Sequence, residues 1–318
     1  MRRVTSRAND MWVVRTDTEP SVDVSEAIVE LDPDRDLLLE SAEDWRDFAD
    51  EVRERVPAVV VVSGGDGTVQ GVVRALGPGS DTTVGIIPSG TGNDFARALQ
   101  LPLGPREAAR VVLNGAVRGV DLLALSVDGE AEVLVVNAVT LGLSGPVHAE
   151  LDDETKDRWG RFAYLRAALS AAGELDPFET KITVREDAGD EPKDFWSGPL
   201  LHISLANGPT AGGGVPIAPD ADPADGLLDV CGVAEGSAWE IGKGVPAMLG
   251  EGTPDAPWLL AAVASARLEL DAARSVSIDG EPRTARTLEV RVLPGALTVF
   301  RIGKLGEEGP QGPPGPPR

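Results

Sequence analysis

The sequence predicts an α/β fold plus a β fold: an N-terminal doubly wound α/β domain followed by a mainly antiparallel β domain. Two apolar runs that each enter a glycine loop and then a helical pattern, "AVVVVSGGDGTVQ" and "TVGIIPSGTGNDFA", predict the first. A series of strand-like runs separated by turn residues, beginning near residue 120, predicts the second.

Each element of the first half has its own signal. Ser41 and Asp44 form a capping-box-like pair, and Trp45, Phe48, Ala49, Val52 and Val56 follow at helical spacing. Pro57 ends that helix, and "AVVVV" reads as a strand buried on both faces, as in a parallel sheet. After the glycines, Val69, Val72, Val73 and Leu76 make a second helical stripe, stopped by Gly77 and Pro78. "TVGIIP" repeats the buried strand, and "SGTGNDFARAL" repeats the loop and helix. Pro105 and Gly115 frame a further helix around Val111, Val112 and Leu113.

In the second half, "DLLALSV", "AEVLVVNAVTLG", "TKITVRE", "LLHISLANG", "GLLDVCGV", "RLELDAARSVSIDGE" and "LEVRVLPGALTVFRI" read as strands. Helical interruptions are expected near residues 159–175 and 239–264. The domain boundaries read from this pattern are 1–119, with a strand returning at about 296–304, then 120–295. Residues 305–318 are expected to form a disordered tail, because their glycine-every-third pattern is too short for a collagen-like helix.

Composition excludes several classes. The formal net charge of −23 argues against nucleic-acid binding, which needs a basic face. No apolar run approaches the roughly 20 residues that span a bilayer. The start, "MRRVTSRANDMWVV", lacks the apolar region of a secretory signal, so a cytoplasmic protein is expected. The single cysteine, Cys231, rules out an internal disulfide and reads as a buried strand residue. The basic residues include only five lysines, at 156, 181, 193, 243 and 304. Many Asp, much Arg and Ala and little Lys match proteins that work in molar salt, where self-repulsion is screened within about 3 Å.

The two strand–loop–helix units bring their glycines to the sheet edge where ligands of open α/β sheets bind. Gly64, Gly65 and Gly67 let the backbone approach a phosphate chain, and Thr68 adds a hydroxyl. Ser89, Gly90, Thr91 and Gly92 do the same from the next unit. Each unit also carries an acid, Asp66 in the first and Asp94, beside Asn93, in the second. A carboxylate facing an anion makes sense with Mg²⁺ between them, since a hard cation takes carboxylate, water and phosphate oxygens. The alternative reading gives the glycines to tight turns and makes Asp94 a helix N-cap.

"GGDGT", "PSGTGNDFA", "WGRFAYLRAAL", "LANGPTAGGGVPIAPDADPADGLLDV" and "SVSIDGEP…VLPGAL" together resemble the diacylglycerol kinase catalytic domain family of lipid kinases. That family is related to sphingosine and ceramide kinases and shares its wider fold with NAD kinases. The resemblance covers about residues 37–303 and implies a β-sandwich for the second domain. It implies that residues 64–68 and 89–93 hold the phosphates of ATP, and that Asp66 and Asp94 hold Mg²⁺. It gives Asp225 to a second, structural metal ion, with Asp229 as a weaker candidate. It makes Asp279 the general base toward a lipid hydroxyl, with Glu281 nearby. Whether Asp66 or Asp279 is the base stays open at this level, and Asp279-Gly280 also suits a type I′ hairpin turn. His148 and His202 read as structural, and Asn137 and Asn207 as backbone or turn contacts.

The resemblance implies phosphorylation of a diacylglycerol-like lipid, ester or ether linked, or of a long-chain amino alcohol. Membrane contact would be transient and peripheral, and a homodimer is left open. One feature departs from the family: no Asn-Pro-x-x-Gly loop occurs before residue 40. "MWVVRT" and "DLLLES" are expected as the first two strands, with the loop and helix between them reduced to an acidic, proline-containing segment. A misplaced start, a divergent active site, or a catalytically impaired lipid-binding or regulatory protein would each explain it.

Overall fold

The computed structural model describes residues 10–17, 20–142, 176–237 and 257–303. They fall into two units. Unit 1 runs to Leu122 and adds Pro223–Gly226 and the residues from Leu293 onward; unit 2 holds Leu123–Asp222 and Leu227–Val292.

Unit 1 is built from β1 (Met11–Arg15), α1 (Val22–Leu31), β2 (Arg35–Leu38), α2 (Ala42–Arg55), β3 (Val59–Gly64), α3 (Asp66–Leu76), β4 (Thr83–Pro88), α4 (Asp94–Ala98), α5 (Pro105–Asn114) and the start of β5 (Ala116–Val127). Strand β1 pairs in parallel with both β2 and β3, and β3 with β4. Thr298 and Val299 of the chain's last strand add a further parallel neighbour to β4. Val13, Val61 and Ile87 on one sheet face pack with Val24, Ala27, Ile28 and Leu31 of α1 and with Ala109 and Val112 of α5. Helices α2 and α3 pack on each other, with Trp45 filling the space above Gly71. Ser41 and Asp44 close a reciprocal capping box at the start of α2.

The region between the first two strands corrects the sequence reading. It is not a reduced acidic segment but the ten-residue helix α1, whose N-cap Ser21 accepts the Val24 N–H. Four buried side chains at positions 24, 27, 28 and 31 form its apolar stripe. Each is worth about 1.5–3 kcal/mol if as large as Val or Leu, which outweighs the weak local signal of a segment carrying several acids.

Unit 2 takes the end of β5 and adds β6 (Val133–Val135), β7 (Ala138–Leu141), β8 (Phe178–Arg185), β9 (Lys193–Ala206), β10 (Thr210–Ala211), β11 (Val215–Pro216), β12 (Leu228–Ala234), β13 (Trp258–Val263), β14 (Ser265–Ile278) and most of β15 (Glu281–Arg301). Its pairings are antiparallel: β13 to β12, β12 to β9, β9 to both β7 and β8, and β14 to β7, β8 and β15. Alternation sends Val139, Leu141, Ile203, Leu205, Val230, Val276 and Ile278 into one apolar core. Their neighbours Ala138, Ala206 and Cys231 pack against Ile217, Ala218 and Ala221.

Residues 258–263, expected within a helical interruption, are strand β13. "WLLAAV" suits either period, and pairing of Leu260 with Cys231 on β12 decides it. The helical pattern expected at 159–175, the rest of the one at 239–264, His148, the first nine residues and the Gly/Pro tail lie outside the described residues. Among the described residues no helix is long and apolar enough to cross a membrane.

Candidate active site

In unit 1 the site grows from the β3–β4 ladder. Pairing continues to Gly64 opposite Pro88, and the Ser89 N–H donates to the Gly64 carbonyl at 3.1 Å. Both chains then turn into helices, with Gly65 the N-cap of α3 and Asn93 the N-cap of α4. The loops cross so tightly that a β-carbon on Gly90 would lie 2.5 Å from the Gly65 α-carbon. A β-carbon on Gly64 would lie 2.4 Å from the Thr68 hydroxyl oxygen. Gly67 differs: it is exposed and a β-carbon there would meet nothing within 4 Å.

Asn93 holds the second loop. With φ at 53° it adopts the left-handed conformation that asparagine tolerates. Its Oδ1 accepts the Gly90 N–H at 3.1 Å and its Nδ2 donates to the Gly90 carbonyl at 2.6 Å. Ser89 and Thr91 stay exposed, and Gly92 is half-buried.

The two acids of these loops sit on adjacent helix starts, Asp66 as the first residue of α3 and Asp94 as the first of α4. Asp66 Oδ1 accepts the Phe95 N–H at 3.1 Å, so the carboxylate that opens α3 caps α4. Asp94 is 4% exposed and is not that cap. Thr68 Oγ1 lies 3.1 Å from Thr16 Oγ1, which ties the first loop to the end of β1. Thr16 escaped the sequence reading; its only signal was being the first polar neutral residue after "MWVVR".

A second residue missed from sequence is Asp121, 2% exposed on β5. Its Oδ2 accepts the Gly226 N–H and its Oδ1 the Gly295 N–H, each at 2.7 Å. Its own N–H donates to the Pro223 carbonyl at 2.7 Å. Two distant segments of unit 1 are thus fastened to Asp121, the one at Gly295 and Pro223–Gly226, which carries the exposed Asp225. The signal was available: Asp121 is the only charged residue in "GVDLLALSV".

Unit 2 holds the remaining predicted residues. Asp279 and Gly280 form the two-residue turn between β14 and β15, with φ of 48° and 88°, as a type I′ turn requires. The Asp279 carboxylate accepts three backbone N–H groups: Val136 on Oδ2 at 2.8 Å, and Asn137 and Ala138 on Oδ1 at 2.8 and 3.0 Å. At least three of its roughly four lone-pair positions are therefore engaged. The turn reading is borne out, and the turn aims the carboxylate at the bend that leads into β7. Glu281 is exposed and pairs with Ile278 across that turn.

Asp229 lies half-buried on β12, two residues from Cys231. Burial first, and the Asp229 charge second, push the Cys231 thiol up to about 12, so it stays protonated and inert. His202 donates or accepts at Ser204 Oγ over 2.8 Å, and burial of its ring lowers its pKa to about 4 against a smaller opposing effect of the Leu141 backbone. Both fit structural roles. Among the described residues, no group of three or more His, Cys, Asp or Glu converges as a ready metal site.

Residues 27–125 match the family described as diacylglycerol kinase catalytic domain, and residues 137–301 the YegS C-terminal NAD kinase beta sandwich-like domain. A Pseudomonas aeruginosa (strain UCBPP-PA14) protein named "Probable lipid kinase YegS-like" is 34% identical over 267 residues, covering 80% of each chain. One of the same name from Xanthomonas euvesicatoria pv. vesicatoria is 31% identical over 264 residues, covering 77% of this chain and 79% of the relative. The crystal structure of a diacylglycerol kinase from Bacillus anthracis str. Sterne matches in fold with a TM-score of 0.69, at 21% identity, covering 92% of this chain and 97% of that one. The chain therefore belongs to the diacylglycerol kinase catalytic domain family of YegS-like lipid kinases.

Proposed function

We propose that this lipid kinase transfers the γ-phosphate of ATP to the hydroxyl of a diacylglycerol-like lipid, with residues 64–68 and 89–93 receiving the nucleotide phosphates. The observation that carries this reading is the crossing of the two loops at Gly65 and Gly90, a backbone approach that only glycine allows and that brings two strand-to-helix turns together at one sheet edge. The names of the relatives support a lipid as the acceptor.

The chain's own residues divide the work. Backbone N–H groups of the glycine loops bind and orient the phosphates, and Asn93 fixes the second loop by clamping Gly90. Thr16, joined to Thr68, supplies a polar group at the end of β1, where the family's Asn-Pro-x-x-Gly loop is missing. Asp279, held rigid by three amides, orients the attacking hydroxyl and receives its proton as that oxygen bonds to the γ-phosphorus and the bond from phosphorus to the bridging oxygen breaks, releasing ADP. Asp66 and Asp94 are hard oxygen donors that suit Mg²⁺, which would neutralise phosphate charge when bound. A magnesium ion needs only one or two carboxylates when phosphates and water complete its shell, so a pair of acids fits. Asp225, with Asp229 secondary, remains our assignment for a second ion. We place the enzyme in the cytoplasm with transient contact at the membrane.

The test uses radiolabelled ATP with Mg²⁺, molar KCl and mixed lipid extracts, comparing wild type with Asp66→Ala. Labelled lipid from wild type and none from the variant supports the assignment. ATP binding without lipid labelling in any extract would favour the alternative, a kinase-fold lipid-binding or regulatory protein.

A further inference from the structure

In unit 2 the backbone of residues 136–138 has its hydrogen bonds made. Asp279 takes all three N–H groups, and its own N–H donates to the Ala138 carbonyl at 2.9 Å. Asn207 serves the other two carbonyls, donating from Nδ2 to Val136 at 2.9 Å and from its N–H to Asn137 at 2.8 Å. Against this stands one atom in the same segment. Asn137 is 6% exposed, and its buried Oδ1 receives no hydrogen bond from the protein.

A buried carbonyl without a donor weakens a fold, and an apolar residue of similar size would remove the penalty. Retaining an amide there makes sense if a ligand supplies the donor. The Asn137 N–H already sits 2.8 Å from Asp279 Oδ1, so the residue is fixed to the carboxylate assigned to the attacking hydroxyl.

We propose that Asn137 Oδ1 is a substrate-binding acceptor that selects lipid alcohols carrying a second donor, a vicinal O–H or an N–H, beside the hydroxyl to be phosphorylated. This rests on the lipid-kinase reading above. A lipid with a single hydroxyl gives its one proton to Asp279 and leaves Asn137 unpaired. A second donor satisfies it, which strengthens binding by about the tenfold expected of one neutral hydrogen bond.

The experiment measures kcat/KM of the full chain on dioleoylglycerol, with one hydroxyl, on monooleoylglycerol, with two vicinal hydroxyls, and on N-oleoylethanolamine, with a hydroxyl and an N–H. Wild type should favour at least one of the two-donor lipids by about tenfold. Which one it favours tells a hydroxyl from an N–H source. Asn137→Leu should erase the preference while melting no lower than wild type and keeping its KM for ATP. Asn137→Asp, which retains an acceptor oxygen, should keep the preference and guards against a Leu variant that does not fold. Equal rates on all three lipids, or a preference that survives Asn137→Leu, overturns the proposal while leaving the kinase reading intact. No phosphorylation of any lipid, with ATP still bound, overturns both.

Discussion

Gly65 and Gly90 belong to different loops, yet a methyl group on Gly90 would sit 2.5 Å from the Gly65 α-carbon. The atom it meets is backbone, which cannot swing aside as a long side chain could. Gly90→Ala should therefore push the loops apart, weakening ATP binding at least about tenfold and lowering the melting temperature. Gly67→Ala, whose β-carbon enters open space, should leave the melting temperature unchanged. Titration calorimetry and thermal melts of both variants check the contrast.

Asp279 is as much a structural clasp as a chemical group. Asp279→Ala strips three N–H groups of their acceptor, at a cost of about 3 kcal/mol or more. Urea unfolding should show that loss, and a variant as stable as wild type would remove the clasp from the account.

Asp121 fastens residues 223, 226 and 295 to β5. Asp121→Ala removes the acceptor of two part-buried N–H bonds and should destabilise unit 1 by about 1–3 kcal/mol. Asp121→Asn should be little better, because its NH₂ group faces a donor. Denaturant midpoints of the two variants test this.

His202 predicts how stability responds to acid. Burial sets its folded pKa at about 4, below the ordinary value of 6.5, so the unfolded chain binds the proton more readily. Its contribution is complete above the unfolded pKa and is lost as pH falls from about 6.5 toward 4, amounting to about 3 kcal/mol. Melting temperatures between pH 8 and 4 should fall less steeply for His202→Gln than for wild type.

The charge of −23 makes a prediction about salt. Self-repulsion is strong in dilute buffer and screened within about 3 Å at molar ionic strength. The melting temperature should rise steeply from low to molar KCl. Equal values across that range would remove adaptation to salt from the account.

Much of unit 1 was readable one element at a time, since its strands and helices carry local signals. The Ser41–Asp44 box, the helix between Pro105 and Gly115, and the span of "TVGIIP" are each set by neighbours within a few residues. Helix α1 was missed because its acids and Pro20 hid a stripe that only packing against β1, β3 and β4 makes decisive. Strand β13 was missed for the related reason that its apolar run has no period of its own until β12 pairs with it.

The sequence by itself determined the family, the doubly wound order of unit 1 and the glycine loops, because these are written in contiguous residues. Tertiary structure alone decided what each acid touches. Asp66 caps a helix that begins 28 positions later, by the difference between 94 and 66, and Asp121 binds amides more than a hundred residues away. Asp279 organises the bend between β6 and β7, 141–143 residues earlier, where the Asn137 side-chain oxygen receives no hydrogen bond from the protein. A carboxylate's partners are set by distance in space, and the spacing of residues along a chain carries no record of that.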